Sequence, residues 1–346
     1  MFNKNLKYYR LKSNLSKKEL AARVNVTPMT ITHYEKGDRK PDMDTIKSLA
    51  NTLNVRVTDF LSSQNDNLVF QHNAFRKNCK LSKNNQELVR ATVEEYFGRF
   101  FTAVDLLGGN VLPEAPKCQT LSLSKNIEEC ANSLRRYLGL PEFGPVGNLI
   151  EVLENQGILI YFYDADSQQF FGMNGTVNGR PYIIINKNMT AERIRTTIIH
   201  EIAHFAFSWP NSIDEKECEK KATAISGAFL FPKQDATREL GIHRNAITKD
   251  MQMICKEYGI SMSLMAYRAK ECGIINEYAY KSFCIKANQI GLRKCDSYRK
   301  EKEEPTLFKQ LVYRAVSENE ISVQKGSELL KMPFDDVAKE CYFREA

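Results

Sequence analysis

The sequence has no stretch approaching the ~18 consecutive apolar residues that a membrane-spanning helix needs. Nor do residues 1–12 carry the apolar run of a secretory leader; they carry charges at helical spacing instead. The nine cysteines form no CxxC pair and no dense framework. That excludes a disulfide-stapled scaffold and fits reduced thiols in a cytoplasmic chain. Glycine and proline are few, at 17 and 11, so a collagen-like or mainly disordered chain is excluded. With 42% apolar residues the chain can bury a core, and 346 residues exceed what a single core organises. Two or three domains are expected.

The excess positive charge lies at one end. Residues 1–62 hold 12 Lys/Arg against 6 Asp/Glu, whereas the remainder holds 37 against 36. A local basic excess suits a phosphate-binding module. Within it, Ser16-Lys-Lys-Glu19 has the form of a capping box and predicts a helix to about Val24, with Leu20, Ala21 and Val24 facing inward. After Asn25-Val26, Thr27 as N-cap and Pro28 as first helical residue open a second helix that Gly37 ends. A further helix is expected over about 44–53, and a last turn capped by Thr58 through Leu61. Two short helices joined by a tight turn make a helix-turn-helix, whose second helix enters the major groove. Pro28, Met29, Thr30, Thr32 and His33 then face base edges, while Lys17, Arg39 and Lys40 are placed to hold phosphates. The competing reading is a bundle that mediates only protein contacts. The text Leu15-Ser-Lys-Lys-Glu-Leu-Ala21, then Val26-Thr-Pro-Met-Thr-Ile-Thr-His-Tyr-Glu-Lys-Gly37, then Arg39-Lys-Pro41 resembles the lambda-repressor-like (XRE) helix-turn-helix family over residues 1–62. The resemblance implies double-stranded DNA as a partner.

Residues 63–117 read as a helical connector. Its one long helix, about 85–107, has apolar residues at helical spacing (Leu88, Val93, Phe97, Phe100, Phe101, Val104) and stops at Gly108-Gly109. It is either a packing helix or the surface of a homodimer. Beyond it come helices at 127–138 and 145–156, a buried strand at 158–163, and a hairpin over 176–185 about Asn178-Gly179. A small sheet therefore precedes the next helix.

That helix, capped by Thr190 and running to about Phe207, contains His200-Glu-Ile-Ala-His204. Positions i and i+4 share a helix face, so both imidazoles can reach one ion, and Glu201 sits beside them. With five histidines in the chain, chance gives this spacing rarely. The surrounding Ile198, Ile199, Ile202, Ala203 and Phe205 make the helix apolar, and buried histidines need partners. Catalytic zinc keeps three protein ligands and one open position, so a third ligand is expected from the following helix, about 214–230. Asp214, Glu215, Glu217, Glu219 and Cys218 are all chemically able. Glu219 is preferred because it lies three residues before Ala222, on the inward stripe that continues through Ile225, Ser226, Phe229 and Leu230.

His200-Glu-Ile-Ala-His204, followed by Glu219-Lys-Lys-Ala222 and a segment ending Phe229-Leu-Phe-Pro232, resembles the ImmA/IrrE family of metallopeptidases. The match extends from about Tyr182 to Gly273, with a similar tail from Pro305. It departs at Ile225-Ser-Gly227, where the family has Phe-Ala, and at Thr223, where Asn or Asp is common. The resemblance implies that His200, His204 and Glu219 hold zinc or another divalent ion, that Glu201 is the catalytic acid/base, and that the substrate is a protein, a repressor of helix-turn-helix type. His243, Tyr258 and Tyr267 are oxyanion donors by residue type only, and the strand near Ile183–Ile185 could pair with an extended substrate. Two helices around Gly259, 246–258 and 261–271, could form a second helix-turn-helix-like pair, either substrate-recognising or, as preferred, plain scaffold. In the tail, Ile321-Ser-Val-Gln-Lys-Gly-Ser-Glu-Leu-Leu-Lys-Met-Pro333 faintly echoes residues 15–28, enough for a helical hairpin.

The expected fold class is α+β: an all-α helix-turn-helix domain (1–62), a connector (63–117), a mainly helical, zincin-like metallopeptidase domain with a small β-sheet (118–295) and a C-terminal helical unit (296–346). The expected function is a cytoplasmic, DNA-binding zinc endopeptidase that relieves repression. The alternative is a DNA-binding regulator whose metal domain is a sensor or partner-binding module without hydrolysis; an intact Glu201, which ligation alone does not need, counts against it.

Overall fold

The computed structural model describes residues 2–61, 65, 67–73, 81–165, 170–292 and 303–342. The domain limits expected near 62 and 295, most of the charged stretch 296–304, and the thiols of Cys79 and Cys295 lie outside the described residues. The fold is α+β, and the chain divides into two compact units, residues 1–112 with 306–346, and residues 113–305.

In the first unit α1 (Phe2–Lys12) and α2 (Lys17–Arg23) pack on α3 (Pro28–Lys36), with α4 (Met43–Leu53) and α5 (Val57–Leu61) completing a bundle around Leu6, Leu20, Ile31, Leu49 and Phe60. Local chemistry sets the boundaries. Ser16 Oγ accepts from the Glu19 N–H while the Glu19 carboxylate accepts from the Ser16 N–H, a closed capping box. Thr27 caps α3, Pro28 takes its first position, and Gly37 ends it at φ 83, a left-handed conformation that glycine reaches without a Cβ clash. Thr58 does not cap α5. The helix already starts at Val57, because the Asp59 carboxylate reaches back to the Arg56 N–H at 2.9 Å.

A short strand β1 (Phe70–His72) precedes α6 (Lys83–Leu106), whose Val93, Phe97, Phe100 and Val104 are buried. α1, α15 (Leu307–Ser317) and α16 (Val323–Leu330) pack against α6 within the chain, which makes it a packing helix. Ser322 caps α16, and Pro333 leads into α17 (Phe334–Cys341), giving the expected helical hairpin.

The second unit holds β2 (Leu121–Ser122), α7 (Ile127–Tyr137), α8 (Leu149–Asn155), β3 (Leu159–Tyr163), β4 (Gly172–Val177), β5 (Arg180–Asn186), α9 (Ala191–Ala206), β6 (Phe207–Ser208), α10 (Glu215–Leu230), α11 (Lys233–Leu240), α12 (Gln252–Tyr258), α13 (Met262–Glu271) and α14 (Glu277–Gln289). β5 lies antiparallel to β4 and parallel to β3. Asn178 and Gly179, both at positive φ, form the hairpin turn. Because β5 is bonded on both sides, it cannot accept a substrate as an added strand, contrary to expectation. The helix expected from 145 starts only at Leu149. The carbonyls of Gly144, Val146 and Gly147 are taken by the buried guanidinium groups of Arg135 and Arg195, and Asn148 caps instead. Likewise α12 starts at Gln252, after a 3-10 turn at Lys249–Met251. α9 packs between the sheet and α10, and Ile198, Ile199, Ile202, Ala222, Ile225 and Phe229 are fully buried there.

Candidate metal centre and nucleic-acid interface

α9 is buried almost throughout, including His200 at 5% and Glu201 at 3% exposure. Ionisable groups in such a place persist only if each finds a partner. The partner comes from α10, which crosses α9 and presents Glu219 one residue beyond Cys218. Glu219 Oε2 lies 3.3 Å from His200 Nε2, Glu219 Oε1 lies 3.0 Å from His204 Nε2, and the two Nε2 atoms are 3.0 Å apart. Three atoms bound to zinc at the usual 2.0–2.1 Å in a tetrahedron would be about 3.3 Å apart. The two Nε2 atoms are close to that spacing, one ligand atom from each of the three residues lies within 4.8 Å of the others, and the donors, two imidazoles and a carboxylate, are of the right chemistry for a small divalent ion. Among the described residues these three form the His/Cys/Asp/Glu group able to hold an ion. The other acids of α10 are not in it: Asp214 caps the helix, Glu217 pairs with Lys221, and both they and Glu215 are exposed.

The ring nitrogens facing away from the triangle are also held. Thr223 Oγ1 sits 3.2 Å from His200 Nδ1 and donates its one proton to the Glu219 carbonyl at 2.8 Å. It must then accept from His200 Nδ1–H, which leaves the Nε2 lone pair for the ion. Cys218 Sγ lies 3.9 Å from His204 Nδ1. Burial pulls the His204 pKa down, but hydrogen bonds to Cys218 and Glu219 and the charges of Glu201 and Glu219 outweigh it, raising the pKa to about 9. Without an ion the site therefore holds a proton. Trp209, the one tryptophan in the chain, places its ring 5.8 Å from that of His204 and donates to the Ala203 carbonyl at 3.2 Å.

Glu201 stands outside the triangle, and its Oε2 accepts from Asn174 Nδ2 on β4 at 2.8 Å. Sequence reasoning missed Asn174. Its partner is 27 positions away, and no spacing rule signals a strand amide opposite a helix carboxylate. The oxyanion donors suggested by type are engaged elsewhere. Tyr258 is buried and accepts from Arg238 Nη2 at 2.7 Å, His243 is exposed beside Asn245, and Tyr267 packs with Tyr280 and Lys270.

In the first unit α3 presents Pro28, Met29 and His33 to solvent, with Met29 63% exposed, while Thr30 and Thr32 are half-buried. Its inner side is anchored by Ile31, Tyr34 and a buried ion pair in which Arg10 Nε and Nη2 donate to both Glu35 oxygens at 2.5 and 3.2 Å. Lys17 Nζ lies 3.5 Å from the same carboxylate while its side chain remains 41% exposed. Several polar groups on α3 are paired locally: Thr27 with Thr30, Thr32 with the Pro28 carbonyl, and His33 with Asp38. Arg39 and Lys40 are exposed after the helix.

Residues 6–60 match a helix-turn-helix family model, and residues 153–270 match that of the IrrE N-terminal-like domain. A Bacillus subtilis (strain 168) protein described as the uncharacterized HTH-type transcriptional regulator YqaE is 34% identical over 74 residues, 21% of this chain; the chain spans 64% of that relative's length. Among solved structures, ComR from S. thermophilus, crystallised with DNA and its signalling peptide ComS, aligns over 99% of this chain and 98% of its own at 13% identity. Its TM-score of 0.17 is too low to carry an argument about fold or function. No described helix is long and apolar enough to cross a membrane.

Proposed function

Because the chain joins an XRE-type helix-turn-helix domain to an IrrE N-terminal-like peptidase domain, we propose that it is a cytoplasmic transcriptional regulator that binds double-stranded DNA and cuts a helix-turn-helix repressor with a metal-dependent endopeptidase site. His200, His204 and Glu219 would hold the ion, zinc or another divalent metal. When bound, such an ion supplies Lewis acidity for polarising a peptide carbonyl and the attacking water. The remaining work falls to the chain. Glu201 takes the proton of the attacking water and returns it to the leaving amine. Thr223 fixes the His200 tautomer. On the DNA side, Pro28, Met29, Thr30, Thr32 and His33 meet base edges, Lys17, Arg39 and Lys40 meet phosphates, and a two-fold operator would be met by a homodimer.

The observation that carries the peptidase reading is the pairing of a three-donor triangle with an acid, Glu201, that is beside it and not part of it. A sensor or structural metal site has no use for that acid. The test compares new protein N-termini in cells making the wild type or Glu201→Gln, with metal content measured on both purified proteins. Equal metal and loss of specific N-termini in the variant is expected; equal N-termini in both would leave a DNA-binding regulator without hydrolysis.

A further inference from the structure

A carboxylate next to a dication is drawn towards it, more strongly in a buried site than in water. Glu201 is adjacent in sequence to His200 and 97% inaccessible, so something must keep it from becoming a further ligand. The packing of α9 on β4 supplies it. Gly172 and Asn174 are two apart and share a face of the strand; Thr197 and Glu201 are four apart and share a face of the helix. The two faces meet in register. A Cβ on Gly172 would come within 3.1 Å of Thr197 Cγ2 and 3.0 Å of the Ile184 carbonyl, so the glycine lets helix and strand approach closely. One step along, Asn174 Nδ2 reaches Glu201 Oε2 at 2.8 Å.

Building on the metal-site reading above, we infer that Asn174 is the positioning residue of Glu201: its carboxamide holds the carboxylate off the ion and aims it at the place where a water would be activated. An amide suits this task. It donates to the carboxylate without adding charge, whereas a buried aspartate would bring two carboxylates into contact and a lysine would neutralise the base.

Cobalt(II) alone tests this, because its visible spectrum reports the number and kind of ligands without any substrate. Glu201→Gln should leave the wild-type cobalt spectrum unchanged, since Glu201 is not a ligand. Asn174→Ala should give shifted, weaker bands as the released carboxylate joins the ion. Asn174→Ala with Glu201→Gln should restore the wild-type spectrum; a merely misfolded variant would not recover. On the protein identified by its lost N-termini, Asn174→Ala should lower kcat about 10–100-fold with KM unchanged, and should cost nothing further in the Glu201→Gln background. A wild-type spectrum in Asn174→Ala would overturn the inference and leave the peptidase reading intact. Failure of the wild-type protein to bind cobalt would overturn both.

Discussion

The candidate nucleic-acid face and the candidate metal centre solve opposite problems with the same parts. On α3 the candidate base-facing side chains are exposed (Pro28, Met29, His33) or half-buried (Thr30, Thr32), and the buried polar groups, Arg10 and Glu35, hold the helix. In the candidate metal centre the working groups are themselves buried (His200, Glu201) or half-buried (His204, Glu219), and each is tied to another side chain: His200 to Thr223, Glu201 to Asn174, both histidines to Glu219. A surface that reads a partner can leave its framework fixed and vary what it displays. A site that does chemistry has no such separation, because a buried charge must be satisfied by groups that also set its geometry. Substitutions should therefore be separable in the first region and entangled in the second.

The largest expected effect tests the second half of that statement. Glu201→Gln should lower turnover about 10²–10⁴-fold while metal content and DNA binding stay at wild-type levels. Next is the framework of the first region. Arg10→Ala leaves Glu35, whose side chain is 3% exposed, as a buried charge beside the half-exposed Lys17, and should destabilise the N-terminal helices by about 3–5 kcal/mol. Denaturant unfolding would measure this, with DNA binding lost and cobalt binding retained. If metal affinity fell as well, the two regions would not be separable.

These contrasts also explain what was readable in the sequence. Caps and stops are local, so Ser16, Thr27, Gly37 and Thr190 gave helix starts and ends within a residue or two. The His200–His204 spacing is local too, and the inward stripe of α10 was enough to prefer Glu219. Groups that act across the fold left no such trace. Asn174 is visible only once β4 lies on α9. The late start of α8 depends on Arg135 and Arg195 claiming carbonyls that a longer helix would have used. The C-terminal helices read as a unit of their own, yet α15 and α16 pack on α6, because apolar periodicity marks a buried face without naming what covers it.

Two smaller effects sharpen the account of the metal centre. Thr223→Val removes the acceptor for His200 Nδ1–H and should weaken metal binding about 10–100-fold, with Thr223→Ser close to wild type. Acidity should act through His204. Its pKa in the ion-free chain is raised to about 9, and only the neutral ring can bind metal. Affinity should then be highest above pH 9 and fall about tenfold for each unit below it, with a proton released on loading at pH 7. Trp209 fluorescence would follow the titration, and an affinity flat between pH 9 and 7 would contradict the raised pKa.

The smallest effect concerns the display side of the first region. Arg39 and Lys40 follow α3, are exposed, and lie outside the Arg10–Glu35 frame, so replacing both with alanine should leave stability unchanged. What should change is the salt dependence of DNA binding in the full chain. Each lost phosphate contact lowers the slope of log K against log salt by about one, uniformly across sequences, since phosphates carry no base information. Met29→Ala should do the reverse, keeping the salt slope while altering which sequences are preferred. If the double variant changed sequence preference, or Met29→Ala changed the slope, the division of α3 and its following turn into base-facing and phosphate-facing groups would be wrong, even with the helix-turn-helix itself intact.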